Sequence, residues 1–461
     1  MEENYKNNMF NRRIFKYLKE WKESKNRKPL ILRGARQVGK TVAIKIFAKK
    51  EYSDFCYLNL EKAELRNLYQ RVETVDDFFD TLHLSQKKEI IPEKTLLFID
   101  EIQNCPNLIS LLRFFYEEHP QIHVVAAGSL LEKIIEKEKT SMPVGRVNYA
   151  YLYPLDFFEY LEAIKETNLL SRLREIKPGE NLKLISNFAL QHLQNYLIVG
   201  GMPEAVAAYS QDRSFKKLDE IFSNLLTSYS DDILKYASTK EAKYIDHVLL
   251  NSHLKAGTTF RYSNFAGTNY TNKEVEPSLR NLEKVMLIRQ ISATKSISLP
   301  LESQLKRPKK LIHLDVGLVN YQSQLRQQIL MAQDLNAVFR GRIAEQVVGQ
   351  NIIAQGEIEK KDLYYWSLEK SKSVAEVDFC FNFSGKIIAL EVKSGATGRL
   401  RSLFAFANKT NTKNYLLLRV HAGDFAWEHL TFQGNKYEIL SVPIYLIPRI
   451  FEILDSLNLS S

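Results

Sequence analysis

One short segment constrains the fold of this chain more than any other. Its eight residues are Gly34-Ala35-Arg36-Gln37-Val38-Gly39-Lys40-Thr41. The segment follows a short apolar run, PLILRG (29–34), and precedes TVAIKIFAKK, whose apolar residues recur with helical spacing. A glycine-rich turn between a strand and a helix lets backbone N–H groups curl around phosphate oxygens, and the helix N-terminus adds positive potential. The segment therefore predicts a phosphate-binding loop.

The side chains of this loop fit a nucleoside triphosphate. Lys40 is expected to reach the β- and γ-phosphates, and the Thr41 hydroxyl to ligate Mg²⁺. The whole loop from Gly34 to Thr41 is predicted to contact the nucleotide, with ATP and Mg²⁺ as the bound species.

A second segment supplies the acids that such a site needs. Residues 95–101 read TLLFIDE, an apolar strand that ends in two carboxylates. Asp100 is predicted to hold Mg²⁺ and Glu101 to orient or activate the attacking water. An ordinary solvated strand end is the alternative for this pattern, but the upstream loop favours the catalytic interpretation.

Two further polar residues are candidates for the same site. Ser129 follows Gly128 at the end of the apolar run IHVVAAGS, at a strand terminus where ligands of open α/β sheets bind. It either senses the γ-phosphate or forms a simple turn. Arg146 either acts as an arginine finger, in cis or toward a neighbouring subunit, or makes a local ion pair.

The apolar runs indicate the fold class. PLILRG, FCYLNLE, TLLFIDE and IHVVAAGS are compact runs separated by helix-like segments, which predicts an α/β module with a parallel sheet covered on both faces. A chain of 461 residues favours about three domains. We predict an ATPase core over 1–165, a helical and winged-helix region over 166–330, and a strand-rich α/β domain over 331–461.

The middle region carries the winged-helix pattern. EVEPSLRNLEKVMLIRQI is followed by an apolar strand, a basic loop and KLIHLD. Such a helix either reads DNA or packs within the protein. The formal net charge of +10 agrees with DNA as a partner, although the basic loop KRPKK (306–310) is equally typical of a solvated surface.

Other sequence features predict where the protein is located and whether its cysteines form a disulfide or a metal site. No apolar run is long enough to span a bilayer and no signal peptide is recognisable, so a cytoplasmic location without membrane contact is expected. Cys56, Cys105 and Cys380 are far apart and predict neither a disulfide frame nor a zinc site.

A hairpin near the C-terminus permits a register prediction. Two strand-like runs in AEVDFCFNFSGKIIALEVKSG flank the turn Ser384-Gly385. If this turn sets the pairing, Phe383 lies opposite Lys386 and Asp378 lies opposite Glu391. The same register gives an apolar face that includes Val377, Phe379 and Phe381.

The opposed carboxylates predict a metal site. Like charges directly across a strand pair are destabilising, and a divalent cation between Asp378 and Glu391 reverses that effect. Oxygen ligands suit a second Mg²⁺ or Mn²⁺, with Glu345 as a third carboxylate and Lys393 on the same face to activate a metal-bound water. The alternative is a cross-strand ion pair between Glu376 and Lys393.

These motifs together resemble a known family. The loop GARQVGKT, the FIDE strand, the Gly-Ser strand end, GRVNYAYLYPLDFFEYL (145–161) and YLIVGGMPEAV (196–206) are similar to prokaryotic AAA+-type, archaeal-ATPase-like proteins that carry a C-terminal domain of unknown function. The resemblance implies a P-loop NTPase core of the AAA+ type, a winged helix and a restriction-endonuclease-like C-terminal fold.

The resemblance also implies roles for particular residues. Glu345, Asp378 and Glu391-x-Lys393 resemble the active site of PD-(D/E)XK nucleases. Relatives of the STAND type use a Gly-x-Pro element to relay nucleotide state, so the segment 201–203 is either such a relay or a plain helix boundary.

Two functions remain open at this stage. In the first, ATP binding and hydrolysis control how a nuclease-like domain engages DNA. In the second, the ATPase is a regulatory or signalling scaffold whose catalytically inactive C-terminal domain contacts a protein partner or forms a homo-oligomer.

Overall fold

A computed structural model describes residues 10–128, 143, 145–234, 238–332, 341–356, 362–370, 373–393, 400–410 and 414–457. The chain divides into two compact units, the first built mainly from Met1–Pro154 and the second mainly from the residues that follow. The predicted first boundary, at residue 165, thus falls inside the second unit. None of the described helices is long and apolar enough to cross a membrane.

The first unit contains a parallel sheet. Its described strands are β1 (Leu30–Arg33), β2 (Asp54–Asn59), β3 (Thr95–Asp100), β4 (His123–Gly128) and β5 (Asn148–Tyr151), in the order β2-β3-β4-β1-β5. All neighbours pair in parallel. Every residue of β3 and β4 is buried, as expected for central strands covered on both faces. The predicted α/β sheet is confirmed, and β5 is an additional strand that no compact apolar run had marked.

Helices cover this sheet. They are α1 (Ile14–Glu23), α2 (Lys40–Glu51), α3 (Ala63–Tyr69), α4 (Val75–Gln86) and α5 (Pro106–Glu118), with a 3-10 turn at Ile102–Asn104. A capping box at Thr74 and Asp77 begins α4, and Pro106 takes the first position of α5, where its missing N–H costs nothing. Apolar residues from α3, α4 and α5 bury themselves against β2, β3 and β4 in one core.

The second unit begins with helices. Those described before the last strands are α6 (Phe157–Ala163), α7 (Thr167–Glu175), α8 (Lys183–Val199), α9 (Pro203–Asp212), α10 (Leu218–Leu234), α11 (Thr239–Asn251), α12 (Asn272–Lys284), α13 (Val316–Gln322), α14 (Arg326–Met331) and α15 (Arg342–Ala354). α16 (Arg401–Ala407) and α17 (Ile450–Ser456) come later in the chain. Three 3-10 turns accompany them at Ser252–Lys255, Phe265–Gly267 and Ile444–Arg449.

The strands of the second unit form one mixed sheet. They are β6 (Thr258–Phe260), β7 (Ile288–Thr294), β8 (Lys309–His313), β9 (Tyr364–Lys370), β10 (Ser373–Phe383), β11 (Lys386–Val392), β12 (Tyr415–His421), β13 (Ala426–Phe432) and β14 (Asn435–Pro443). Among the described residues their order is β13-β14-β12-β11-β10-β9-β7-β8-β6. β7 pairs in parallel with β9, so regions 166–330 and 331–461, predicted as separate domains, contribute strands to the same sheet.

The region predicted as a winged helix has the expected order of elements. α12 leads into β7, which pairs antiparallel with β8, and β6 pairs with the other edge of β8. The order of helix and strands agrees with the prediction, but the helix ends at Lys284, so residues 288–291 of the predicted helix lie in β7. Their identity as a winged helix stays a prediction.

The hairpin register is confirmed next to the turn, and its faces are corrected. Phe383 pairs with Lys386, and the ladder continues to Phe379 opposite Leu390, as the turn predicted; it ends there, so the predicted pairing of Asp378 with Glu391 stays a prediction. On the β9 side the register shifts between Val377 and Cys380. A bulge adds one residue to a strand and reverses the alternation of side chains beyond it. Val377 therefore packs in the same cluster as Cys380, and its predicted place beside Phe379 is wrong.

A buried carboxylate ties together the segment that contains Gly201. Asp315 Oδ2 accepts a 2.6 Å hydrogen bond from the Gly201 amide, and Oδ1 accepts one of 3.1 Å from Leu318 at the start of α13. The Gly201 carbonyl accepts from the Leu155 amide at 2.7 Å. A side chain at Gly201 would begin 2.0 Å from the Leu155 carbonyl oxygen. The segment is thus a close-packed joint within the second unit, and its role as a relay of nucleotide state stays a prediction.

Asp315 should make the stability of the second unit depend on pH. Burial raises its pKa to about 6, against the lowering effect of the amides that it accepts from. Because the folded-state pKa exceeds the unfolded value, the contribution of Asp315 is fully present below the unfolded pKa and is lost as pH rises through the folded one. Relative to Asp315→Asn, the unfolding free energy of the wild type should fall by about 1 kcal/mol between pH 5 and 7.

Urea denaturation followed by tryptophan fluorescence at several pH values measures this difference. A difference between the two proteins that is the same at pH 5 and pH 7 would contradict the assignment.

Candidate functional site

The loop between β1 and α2 has the backbone of a phosphate-binding turn. Gln37 and Gly39 both adopt positive φ angles, 65° and 95°, which reverses the chain just before α2. Gly34 lies so close to the Leu152 carbonyl that a Cβ there would be 2.4 Å from its oxygen. Glycine at this position is therefore a steric requirement, which explains the first glycine of the motif.

Lys40 is held inside the loop. Only 6% of the residue is exposed, and its Nζ donates to the carbonyl oxygens of Gly34 and Ala35 at 3.0 and 2.9 Å. Burial lowers the pKa of Lys40, while the carboxylates of Glu101 and Asp100 oppose that shift. The ammonium is thus positioned at the loop with neutral partners that phosphate oxygens can replace.

Asp100 and Thr41 come together as a pair. The Thr41 hydroxyl donates to Asp100 Oδ2 at 2.7 Å, and the Tyr57 hydroxyl donates to the same oxygen at 3.1 Å. The Glu101 amide donates to the other carboxylate oxygen at 3.2 Å. A hydroxyl and a carboxylate side by side at the foot of a phosphate loop are the protein oxygens that Mg²⁺ needs beside phosphate and water. The predicted magnesium residues therefore fit the ion.

Glu101 is oriented by a residue that sequence reasoning missed. Its carboxylate accepts a short hydrogen bond from Gln103 Nε2, and its own φ is +54°. Burial raises the pKa of Glu101, with Lys40 opposing the shift. Gln103 is only 5% exposed and lies against Gly128, where an added Cβ would be 2.2 Å from Gln103 Oε1. The glutamine two residues after the acid was the available signal in the sequence.

The remaining loop residues contribute mainly backbone. Ala35 and Val38 are fully buried, so their side chains anchor the loop in the core. Arg36 is partly exposed and lies 3.8 Å from the Glu61 carboxylate. Ser129, predicted as a phosphate sensor, lies outside the described residues.

Within its own chain, Arg146 lies at the end of the sheet opposite to the phosphate loop. It precedes β5, which pairs in parallel with β1, whereas the phosphate loop follows β1. The two ends of the sheet are separated by the length of β1, which is about 13 Å at 3.3 Å per residue. Arg146 Nε donates instead to Glu117 at 2.7 Å, at the end of α5. This placement does not suit a finger acting in cis, and a role toward a neighbouring subunit stays a prediction.

Arg12 is a second residue that the sequence analysis missed. It is 7% exposed, and its guanidinium donates to the carbonyls of Val38 at 3.1 Å and Tyr153 at 2.6 Å. Arg12, two residues before α1, thus fastens the phosphate loop to the segment after β5. No motif marks an arginine that binds backbone carbonyls, because its partners are defined by the fold.

The predicted C-terminal site contains a lysine that the sequence did not suggest. Lys310 Nζ, in β8, lies 2.6 Å from Glu345 Oε2 and 3.5 Å from both Glu376 Oε1 and Asp378 Oδ1. We call these four residues the Lys310 cluster. Asp378 Oδ2 accepts from the Val392 amide at 2.7 Å.

Glu391 has a different partner. Lys393 Nζ donates to Glu391 Oε1 at 2.5 Å, and Glu376 contacts Lys310, so the alternative ion pair between Glu376 and Lys393 is wrong. Burial raises the pKa of Glu391 and of Glu345, while the neighbouring ammonium groups of Lys393 and Lys310 oppose that shift. Within the described part of the chain, no group of three or more His, Cys, Asp or Glu side chains is arranged to hold a metal ion.

Comparison with protein families divides the chain into three matches. Residues 26–161 match the family described as AAA domain. Residues 190–329 match a domain of unknown function (DUF8612), and residues 340–436 match another (DUF4143). No curated protein matches the chain. Residues 26–161, which include the loop and acids described above, are therefore similar to an AAA domain.

Comparison with solved structures gives matches of low sequence identity and low TM-score. PCH-2 of C. elegans is 13% identical with a TM-score of 0.27, and the match covers 45% of this chain and 65% of that protein. The ORC2 protein of Aeropyrum pernix is 12% identical with a TM-score of 0.33, covering 66% and 89%. DnaA of Aquifex aeolicus, bound to AMPPCP, is 15% identical with a TM-score of 0.23, covering 58% and 86%.

Removing the Arg12 guanidinium should destabilise the first unit. Arg12→Ala leaves two carbonyls without their donor, and hydrogen bonds from charged groups contribute about 1.5 to 3 kcal/mol each. We expect the unfolding free energy to fall by at least about 2 kcal/mol, measured by urea denaturation. The control is Lys16→Ala in the nearby helix α1, an exposed position where a change within about 0.5 kcal/mol is expected. Equal effects of the two substitutions would contradict the assignment.

Proposed function

We propose that the first unit binds ATP with Mg²⁺ and hydrolyses it. The observation that carries the proposal is the contact between Thr41 and Asp100 at the loop that also holds Lys40. Three groups of different chemistry converge there: an ammonium, a hydroxyl with a carboxylate, and the acid Glu101. This is the set that phosphoryl transfer to water requires.

Each residue has a distinct task in this mechanism. Lys40 exchanges its two carbonyl partners for phosphate oxygens and balances their charge. Thr41 and Asp100 hold Mg²⁺, which supplies charge neutralisation at the phosphates when bound. Glu101 orients the attacking water and accepts its proton, and its raised pKa suits a general base. Gln103 is a positioning residue, because it fixes one Glu101 oxygen.

Two substitutions should separate binding from hydrolysis. Lys40→Ala removes the ammonium and should weaken ATP binding by at least about 100-fold, since a charged contact to phosphate is lost. Glu101→Gln keeps the shape but removes the base, so ATP binding should persist while turnover falls by about 100-fold or more. Equilibrium binding of a fluorescent ATP analogue and a phosphate-release assay measure the two effects.

Lys49→Ala is the matched control, because Lys49 is an exposed lysine of the same helix, α2. It should bind and hydrolyse ATP like the wild type. Undiminished binding by Lys40→Ala, or undiminished turnover by Glu101→Gln, would refute the proposal.

We further propose that nucleotide state in the first unit controls a DNA-associated second unit. The support is the formal net charge of +10 and the exposed part of the basic loop at Lys306. Lys310 of the same loop is buried among carboxylates and is not available to DNA. An arginine finger, if Arg146 supplies one, acts toward a neighbouring subunit, so a homo-oligomer is part of this proposal.

A regulatory scaffold is the second candidate function. It is favoured by the Lys310 cluster, which pairs the predicted catalytic carboxylates with a lysine. In that case the second unit contacts a protein partner, and DNA is not bound.

DNA binding should weaken steeply as salt rises. Phosphate contacts release counterions, so each lost contact lowers the slope of log K against log salt by about 0.9. We expect retention on duplex DNA at 50 mM salt, at least tenfold weaker binding at 200 mM, and a slope smaller by about one in Lys306→Glu. Fluorescence anisotropy with labelled DNA makes the measurement.

Lys216→Glu, an exposed charge reversal elsewhere in the second unit, serves as the control for a general charge effect. If the wild type shows no binding to single-stranded or duplex DNA at low salt, the DNA proposal fails and the scaffold remains.

A further inference from the structure

Lys310 lies where the predicted metal site would place its ion. Its side chain is 1% exposed, and its Nζ contacts the carboxylates of Glu345, Glu376 and Asp378. It also donates to the Asp378 backbone carbonyl at 3.2 Å. Two of these residues, Glu345 and Asp378, were predicted as metal ligands.

The same oxygens cannot serve both cations well. Mg²⁺ and Mn²⁺ bind oxygens at about 2.0 to 2.2 Å in near-octahedral geometry, and the Lys310 ammonium is within hydrogen-bonding distance of the Glu345 oxygen. An ion between these carboxylates would be next to a buried positive charge. The second Asp378 oxygen is already engaged by the Val392 amide. The residues present therefore do not fit a divalent cation.

One oxygen of the third predicted ligand is also paired. Glu391 is 3% exposed and its Oε1 contacts Lys393, while its Oε2 is buried and accepts no hydrogen bond from the described residues. The lysine predicted to activate a metal-bound water is thus used as a counterion. Burial of both lysines is compensated by carboxylates, and those carboxylates keep the pKa of each above its ordinary value despite desolvation.

We propose that Lys310 substitutes for the divalent cation, so that the Lys310 cluster is an internal ion-pair network and not a metal site. Removing one partner of a buried pair is strongly destabilising, because the remaining charges lose their compensation. The cluster therefore stabilises the packing of β8, β10 and α15 in the second unit. Without a metal-bound water the second unit engages its partner without hydrolysing phosphodiesters.

Mn²⁺ binding tests the proposal directly. Electron paramagnetic resonance of free Mn²⁺, titrated into the full-length protein without nucleotide, should give the same binding curve for the wild type and Asp378→Asn. Both proteins keep Thr41 and Asp100, so the comparison isolates the C-terminal carboxylates. One Mn²⁺ bound per wild-type chain and lost in Asp378→Asn would overturn the proposal.

Removing Lys310 provides a second test of the proposal. Lys310→Met leaves the carboxylates without their cation, so its melting temperature in EDTA should be lower than that of the wild type. Millimolar Mn²⁺ should restore part of this loss and leave the wild type unchanged. Lys309→Met, at the neighbouring and partly exposed position of β8, should behave like the wild type.

A response of Lys310→Met to Mn²⁺ that is no larger than that of the wild type would count against the proposal. If Lys310→Met does not fold, the comparison of wild type with Asp378→Asn decides alone. The proposal does not depend on ATP hydrolysis, because neither measurement includes nucleotide.

Discussion

The contact between Thr41 and Asp100 is the interaction on which the first unit depends. The two residues are far apart in sequence, yet their side-chain oxygens are 2.7 Å apart, because β1 and β3 are parallel strands of one sheet and end at the same edge. Lys40 immediately precedes Thr41 in the sequence, and Glu101 immediately follows Asp100. The fully buried strands β3 and β4 form the core beneath this end of the sheet and hold the site residues in position.

The second unit shows how a motif and its surroundings can disagree. Its sheet has the hairpin register that the sequence indicated from Phe383 opposite Lys386 to Phe379 opposite Leu390, and Asp378 and Glu391 lie beyond the last of these pairs. A register shift between Val377 and Cys380 and a lysine from β8 determine what Asp378 contacts. Charges buried together need opposite charges more than they need a metal. In the second unit Lys310 supplies the opposite charge, so the carboxylates do not need a metal ion.

Local patterns predicted much of both units. The strand, loop and helix around Lys40 were located because glycine spacing and apolar periodicity are properties of adjacent residues. The pairing of Phe383 with Lys386 followed from a two-residue turn. Arg12 was missed because an arginine that binds carbonyls has no distinctive spacing, and Gln103 was missed although its place two residues after the acid was a signal. The sequence did not indicate that strands on the two sides of residue 330 share a sheet, although β7 and β9 pair across it.

The sequence by itself determined the strand, loop and helix at the start of the first unit and the positions of its lysine and acids, because each of these is encoded within a few consecutive residues. Only the tertiary structure decided which distant residues meet them. In the folded chain Arg12 contacts the phosphate loop, Arg146 lies at the opposite end of the sheet, and Lys310 lies among three carboxylates. Such contacts depend on strand order and burial, which no single segment specifies.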